Sequence, residues 1–302
     1  MSTAPAFDSS RWLAWFFVMV WGSGYLATKV GLQYAPPFTF LALRFALGLA
    51  LLVPLALLAR PAWPRGSALG HVVVAGLLMH AVNLGGSHYA QYLGMSAGIA
   101  ALILAVQPLV TAIVAAPLLG ERLRSPQWLG VALGLLGVAL VVWHKIDLRA
   151  LSAPALAAVS IALAAITAGT LYQRIFCPAV DLRAASVVQF GASFLVLLPL
   201  AVAVEGFPVT WAWQLGASIL FLVVMASILA VNALHTLMRR GQATRVTSLL
   251  YLTPIIAVVL EWIMFDVRPT LLTTLGIAVT CAGVALVAWR PSPPATPVQR
   301  PA

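Results

Sequence analysis

Residues 98–143 read GIAALILAVQPLVTAIVAAPLLGERLRSPQWLGVALGLLGVALVVW, and a version of this stretch returns later in the chain. Sliding the sequence by 146 positions without a gap lays residues 244–289 on it, matching Leu104 with Leu250, Pro108 with Pro254, Arg122 with Arg268 and Gly130 with Gly276. The run GVALV at 137–141 recurs unchanged at 283–287. The chain is a duplication. Each copy reads as two apolar helices joined by a short polar turn, the first with a proline near its middle and the second spaced with glycines. Such a repeat constrains the whole fold before any local feature does.

Composition then names the solvent. Of the 302 residues, 62% are apolar and 8% charged, and the mean hydropathy is +1.02, whereas soluble domains carry roughly 25% charged residues. The chain is nearly filled by apolar runs of about 20 residues, the length that crosses a hydrocarbon core of ~30 Å at 1.5 Å per residue. The lipid bilayer is therefore an expected partner. A net charge of +10 would suggest nucleic acid in a soluble protein, but in a polytopic membrane protein basic residues collect in cytoplasmic loops, so no nucleic-acid partner is expected. Cys177 and Cys281 form no disulfide or metal spacing,. Arg11 followed by WLAWFFVMVWGSGYLA resembles a signal peptide, but Lys29 interrupts its far end and further spans follow, which predicts a retained first helix,.

Ten spans are expected, at about 12–34, 38–59, 70–93, 96–119, 126–144, 152–173, 183–204, 213–237, 243–265 and 269–289,. With the N-terminus inside, twelve loop arginines fall on the cytoplasmic side and only Lys145, Arg149 and Arg268 outside, which places both termini in the cytoplasm,. The domains follow: a cytoplasmic segment 1–11, a first five-helix repeat 12–144, a periplasmic linker 145–151, a second five-helix repeat 152–289 and a disordered, proline-rich cytoplasmic tail 290–302,. Five spans per copy is an odd number, so the copies must run in opposite orientation. The expected fold is an all-α membrane protein, two inverted five-helix repeats around a central cavity, as recurs in secondary transporters.

Enzymatic chemistry finds no support. There is no HExxH, GxSxG or phosphate-gripping GxxxxGK[ST] motif and no pair of intramembrane carboxylates,. Ser87 and His88 are adjacent, so they project about 100° apart on a helix, poorly placed as nucleophile and base. No cofactor or metal is expected.

Several spans carry polar and aromatic residues at helical spacing,. Span 1 has Trp21, Tyr25 and Thr28. Span 3 has His80, Asn83 and Ser87 with Met79 beside them. Span 4 has Gln107 beside Pro108, span 6 has Thr170, span 8 has Met225, Asn232 and His235, and span 9 has Tyr251 ahead of Pro254. Each alone fits interhelical hydrogen bonding as readily as substrate contact, but stripes on six spans together predict a wet cavity. Lys29, Arg44 and Arg174 are basic residues inside or at the ends of spans, readable as gates and carboxylate-attracting mouths or as side chains snorkelling to the interface. Glu261 is the one carboxylate deep in a span, a candidate for proton coupling or for a salt bridge to Arg44 or Lys29,. Spans 5 and 10 instead carry Gly130, Gly134 and Gly137, and Gly276 and Gly283, at spacings for close helix packing, either as scaffold or as a homodimer seam,.

Trp21-Gly22-Ser23-Gly24-Tyr25, then Lys29, Pro36-Pro37 and Arg44, resemble the opening motif of the EamA-type branch of the drug/metabolite transporter superfamily. Gly120-Glu121-Arg122-Leu123 followed by Gln127, Gly130 and Gly137-Val138 resembles its repeat-closing motif. The second copy departs from it with Asp266-Val267-Arg268 where Gly-Glu-Arg is the pattern. The resemblance covers roughly residues 12–289 and is greatest to bacterial inner-membrane exporters of aromatic and other neutral amino acids. It implies export of amino acids and related small metabolites by alternating access. Export of cationic drugs and a non-transporting membrane sensor are the rival expectations.

Overall fold

A computed structural model describes residues 9–119, 125–147, 151–230, 232–233, 236–237 and 252–288. The described chain is helical throughout. In order, α1 is Ser9–Gly31, α2 Pro37–Ala59, α3 Ser67–Tyr92, α4 Ala97–Leu104, α5 Gln107–Leu119, α6 Ser125–Asp147, α7 Ala153–Phe176, α8 Leu182–Glu205, α9 Trp213–Ala230, α10 Thr253–Phe265 and α11 Leu271–Ala288. Among the described residues seven helices, with α4 and α5 taken together, are long and apolar enough to cross a membrane, and three shorter apolar helices accompany them. Leu58, Leu195, Ile263 and Leu271 lie exposed on the outside of the bundle, a surface suited to acyl chains rather than water. The chain is a multi-pass membrane protein.

Local sequence explains the breaks. Pro37 opens α2, where its missing N–H costs nothing,, and Ser96 and Ser152 cap α4 and α7 by accepting from Ile99 and Ala155,. The fourth span is not the single helix expected. It ends at Leu104 and restarts at Gln107, because Pro108 has no N–H to give residue 104 and its ring crowds that carbonyl. Its counterpart Pro254 stands in the first turn of α10. Three helices contain π-helical turns: Leu77–Val82 within α3, Ala201–Glu205 at the end of α8 just after Pro199, and Phe221–Ala230 in α9. The 146-residue offset lays the first of these inside the third, so the irregularity is duplicated with the sequence.

The glycines of α6 and α11 are engaged with each other inside the chain. A Cβ on Gly130 would stand 2.6 Å from the Gly283 carbonyl oxygen, and one on Gly137 would stand 2.5 Å from that of Gly276. Repeat mates thus exchange places across one seam, running antiparallel. Thr280 adds hydrogen bonds to the carbonyls of Gly276, at 2.8 Å, and Gly134, at 3.4 Å.

Candidate functional site

Away from that seam, α1, α2, α3, α4, α5, α7, α8 and α9 enclose a cavity of about 550 Å³, within the usual range of roughly 300–1,000 Å³ for small-molecule sites. Its walls carry the polar stripes. Trp21, Tyr25 and Thr28 come from α1, and Arg44 from α2. Met79, His80, Asn83 and Ser87 come from α3, whose π turn widens the helix where Met79 and His80 sit,. Gln107 enters at the start of α5, where the break after Leu104 aims it inward, and its amide donates to Thr170 Oγ1 on α7 at 3.1 Å.

The remaining wall continues these stripes. His88 and Gln91 extend the α3 face by one more turn, Gln173 extends that of α7, and Gln189 and Ser186 come from α8. The signal for them was present, since Gln91 follows Ser87 by four and Gln173 follows Thr170 by three. Gln189 is also the repeat mate of Arg44. Its Oε1 lies 3.3 Å from His80 Nε2, and its Nε2 donates to Gln173 Oε1 at 3.1 Å. Gln189 approaches so closely that a Cβ on Gly76 would stand 2.6 Å from its Cα. The Arg44 Nη2 donates to Ser227 Oγ on α9 at 3.3 Å, and that hydroxyl is itself anchored to the Leu222 carbonyl five residues back in the π turn, at 2.9 Å.

Two expected cavity residues lie elsewhere. Met225 packs against α1 beside Phe17 and Val18, and Asn232 is exposed with its amide on the Ile228 carbonyl at 2.8 Å. The cause is helical phase: the π turns of Phe221–Ala230 rotate Ala226 and Ser227 inward in their stead. Tyr251, His235 and Glu121 lie outside the described residues. Arg174 is exposed in the last turn of α7 and does not line the cavity.

Lys29 and Glu261 stand beyond the cavity at one end of the bundle, paired with each other at 2.6 Å. Glu261 also accepts the N–H of Ala97 at 3.0 Å and of Gly98 at 2.9 Å, so it caps α4 from α10,. Lys29 lies over the Phe265 ring, 4.4 Å from its centroid,. At the same end Glu205 of α8 takes the N–H groups of Phe38 and Thr39 and the Thr39 hydroxyl, capping α2, and Thr210 N–H reaches the Tyr34 carbonyl at 2.8 Å. Every one of these ties joins the first half of the chain to the second. The cavity wall extends the other way, to Gln173, Leu182 and Ser186 around the turn from α7 to α8.

Comparison with known proteins places this geometry in a family. Residues 10–143 and 153–289 each match the model of the EamA-like transporter family. An inner membrane transporter of Escherichia coli K12, YedA, whose own role is uncharacterized, is 28% identical over 80% of this chain and 78% of its own length. A probable amino-acid metabolite efflux pump of the same organism is 26% identical over 92% of this chain and 95% of its own. A solved crystal structure superposes with a TM-score of 0.65 at 20% identity, covering 93% of this chain and 98% of that one, a likeness of fold.

Proposed function

The chain belongs to the EamA-like transporter family, and on that premise we propose that it is an inner-membrane exporter of amino acids, aromatic and other neutral ones, and of related small metabolites. The observation that carries the reading is a polar-lined cavity tied shut at one end and extending toward the other. A channel needs both ends open at once, whereas an alternating-access carrier closes one while the other admits substrate. With the N-terminus inside, the Lys29–Glu261 end faces the periplasm and the α7–α8 turn faces the cytoplasm, so this state is the one that loads cargo for export. Ten spans in two inverted repeats fit the reciprocal contacts of α6 and α11, which pair repeat mates as a two-fold axis in the membrane plane would,. Because those glycines are taken up within the chain, a homodimer at spans 5 and 10 has only their outer faces, such as Leu129, Leu136 and Leu275.

Trp21 and Tyr25 supply flat faces for an aromatic side chain,, and Asn83, Gln107 and Thr170 supply hydrogen bonds. The test is efflux from proteoliposomes loaded in turn with labelled tryptophan, phenylalanine, alanine and a cationic dye, with and without a pH gradient. Amino-acid efflux is the expected result. Dye efflux alone would replace it with drug export, and no flux from folded protein would leave a sensor.

A further inference from the structure

We infer that Arg44 is the substrate-recognising charge of the cavity and that its ligand is a carboxylate, so that the cargo is a carboxylic acid whether or not it carries an α-amino group. This deepens the export reading and rests on it.

Arg44 lines the cavity and is only 8% exposed. Guanidinium does not give up its proton inside a protein, and a desolvated charge costs several kcal/mol unless an opposite charge and full hydrogen bonding offset it. The protein supplies little of either. Among the described residues the Ser227 hydroxyl is the one acceptor bonded to Arg44, whose Nε is buried without a partner. The carboxylates whose side chains are described are engaged elsewhere: Glu261 holds Lys29 and α4, Glu205 caps α2, Asp181 caps α8, and Asp266 sits exposed with Arg268. No described acidic residue lines the cavity. The histidines of the cavity wall, His80 and His88, carry no negative charge. A planar guanidinium with one hydroxyl partner and no counter-ion among the described residues matches a planar carboxylate bidentately,.

Among the described residues the amino group has no comparable partner. The Asn83 Oδ1 and Gln91 Oε1 are buried acceptors without partners, Asn83 having committed its Nδ2 to the Met79 carbonyl at 3.0 Å. These neutral carbonyls can take an ammonium, but they place no full negative charge opposite it. Removing the carboxylate therefore costs more than removing the amine.

The test is binding to purified protein in detergent, measured by calorimetry, for three matched probe sets built on phenylalanine, leucine and alanine. Each contains the amino acid, its amide, which lacks the carboxylate, and the deaminated acid, which lacks the amine. The expected result in at least one set is that the amide binds about 30-fold more weakly or worse, the scale set by stranding a buried charge, while the deaminated acid loses less. In Arg44→Gln the preference for acid over amide collapses, and in Arg44→Lys part of it survives. An amide that binds as well as its acid in the wild-type protein, no binding by any probe, or an Arg44→Gln that still discriminates would each overturn the inference. Because the wild-type comparison needs no variant, a misfolded Arg44→Gln does not blunt it. Amides or dyes carried in the proteoliposome assay would sink this inference and leave export standing, whereas acids bound at Arg44 without flux would do the reverse.

Discussion

Replacing Glu261 by Gln should shift the protein away from the state described here by opening its Lys29 end. Glu261 is 2% exposed and accepts three hydrogen bonds, from Lys29, Ala97 and Gly98. Glutamine keeps the shape and one acceptor, so the α4 cap is only weakened, but the charge is gone and Lys29 is left without its counter-ion. Breaking a buried pair from one side costs about 3–5 kcal/mol, and the lower end applies because the Lys29 side chain is 25% exposed and reaches solvent in part. In a state open at this end both groups are hydrated and the substitution costs little. Nearly all of ~3 kcal/mol therefore falls on the closed state, a shift of roughly a hundredfold in the equilibrium. Spin labels at Gln33→Cys and Arg268→Cys, in a background with Cys177 and Cys281 replaced, would report the separation across this end by electron–electron resonance. The expected result is a new, longer population in Glu261→Gln. The cost of Glu261→Gln should also fall by more than about 1 kcal/mol when Lys29→Met is already present. An unchanged distance distribution together with a lowered melting temperature would refute the reasoning, because the pair would then stabilise the fold without controlling which way it faces.

Three further outcomes follow from the same geometry. Glu205→Gln removes the charge that holds Phe38, Thr39 and the start of α2, so thermal stability of this state in detergent should fall by about 1–2 kcal/mol. Gly283→Ala puts a methyl 2.5 Å from the Gly130 carbonyl oxygen and 2.7 Å from Gly134 Cα, backbone atoms that cannot swing aside, whereas Gly70→Ala meets nothing within 4 Å. The first should destabilise by about 1–3 kcal/mol or more, and the second should stabilise by about 0.5–1 kcal/mol; equal melting shifts of the two would contradict the seam. Gln189→Leu strips partners from both His80 and Gln173, and should raise the KM for efflux about tenfold, checked in the proteoliposome assay against an unchanged melting temperature.

Part of the cavity wall could be read in the sequence because α1, α3 and α7 hold polar residues at ordinary helical spacing, and a polar stripe on an apolar helix has nowhere to go but inward. The reading failed where that spacing is not kept. In α9 the π turns Phe221–Ala230 change the phase, so Met225 turned to α1 and the inconspicuous Ser227 became the partner of Arg44. Gln189 stands in a stripe of its own on α8, with Ser186 three residues before it and Ser193 four after, but was noted only as the mate of Arg44. Nor does hydropathy carry any sign that Glu205 would cap α2: that depends on which helix end lies beside it, a tertiary fact.

The duplication, on the inverted-repeat reading, also accounts for why the carboxylates at the Lys29 end are not repeated at the mirror-image positions. A perfect copy would build the same lock at both ends and leave neither state favoured. The position that answers Glu261 in the first copy is Ala115, buried and without a carboxylate. Likewise the mate of Glu205 is Arg60, an exposed residue with φ 48° at the end of α2, where an acid capping a helix start would be needed. Among the described residues both carboxylate clamps thus come from the second copy and act at the Lys29 end. Two charge-assisted caps and an ion pair are worth several kcal/mol at the magnitudes above, on the scale that separates the states of a two-state protein. Leaving the state they hold needs an offset from elsewhere in the protein or from substrate binding. A carboxylate that neutralises Arg44 is well placed to supply it, since it relieves a cost present only while the cavity is empty.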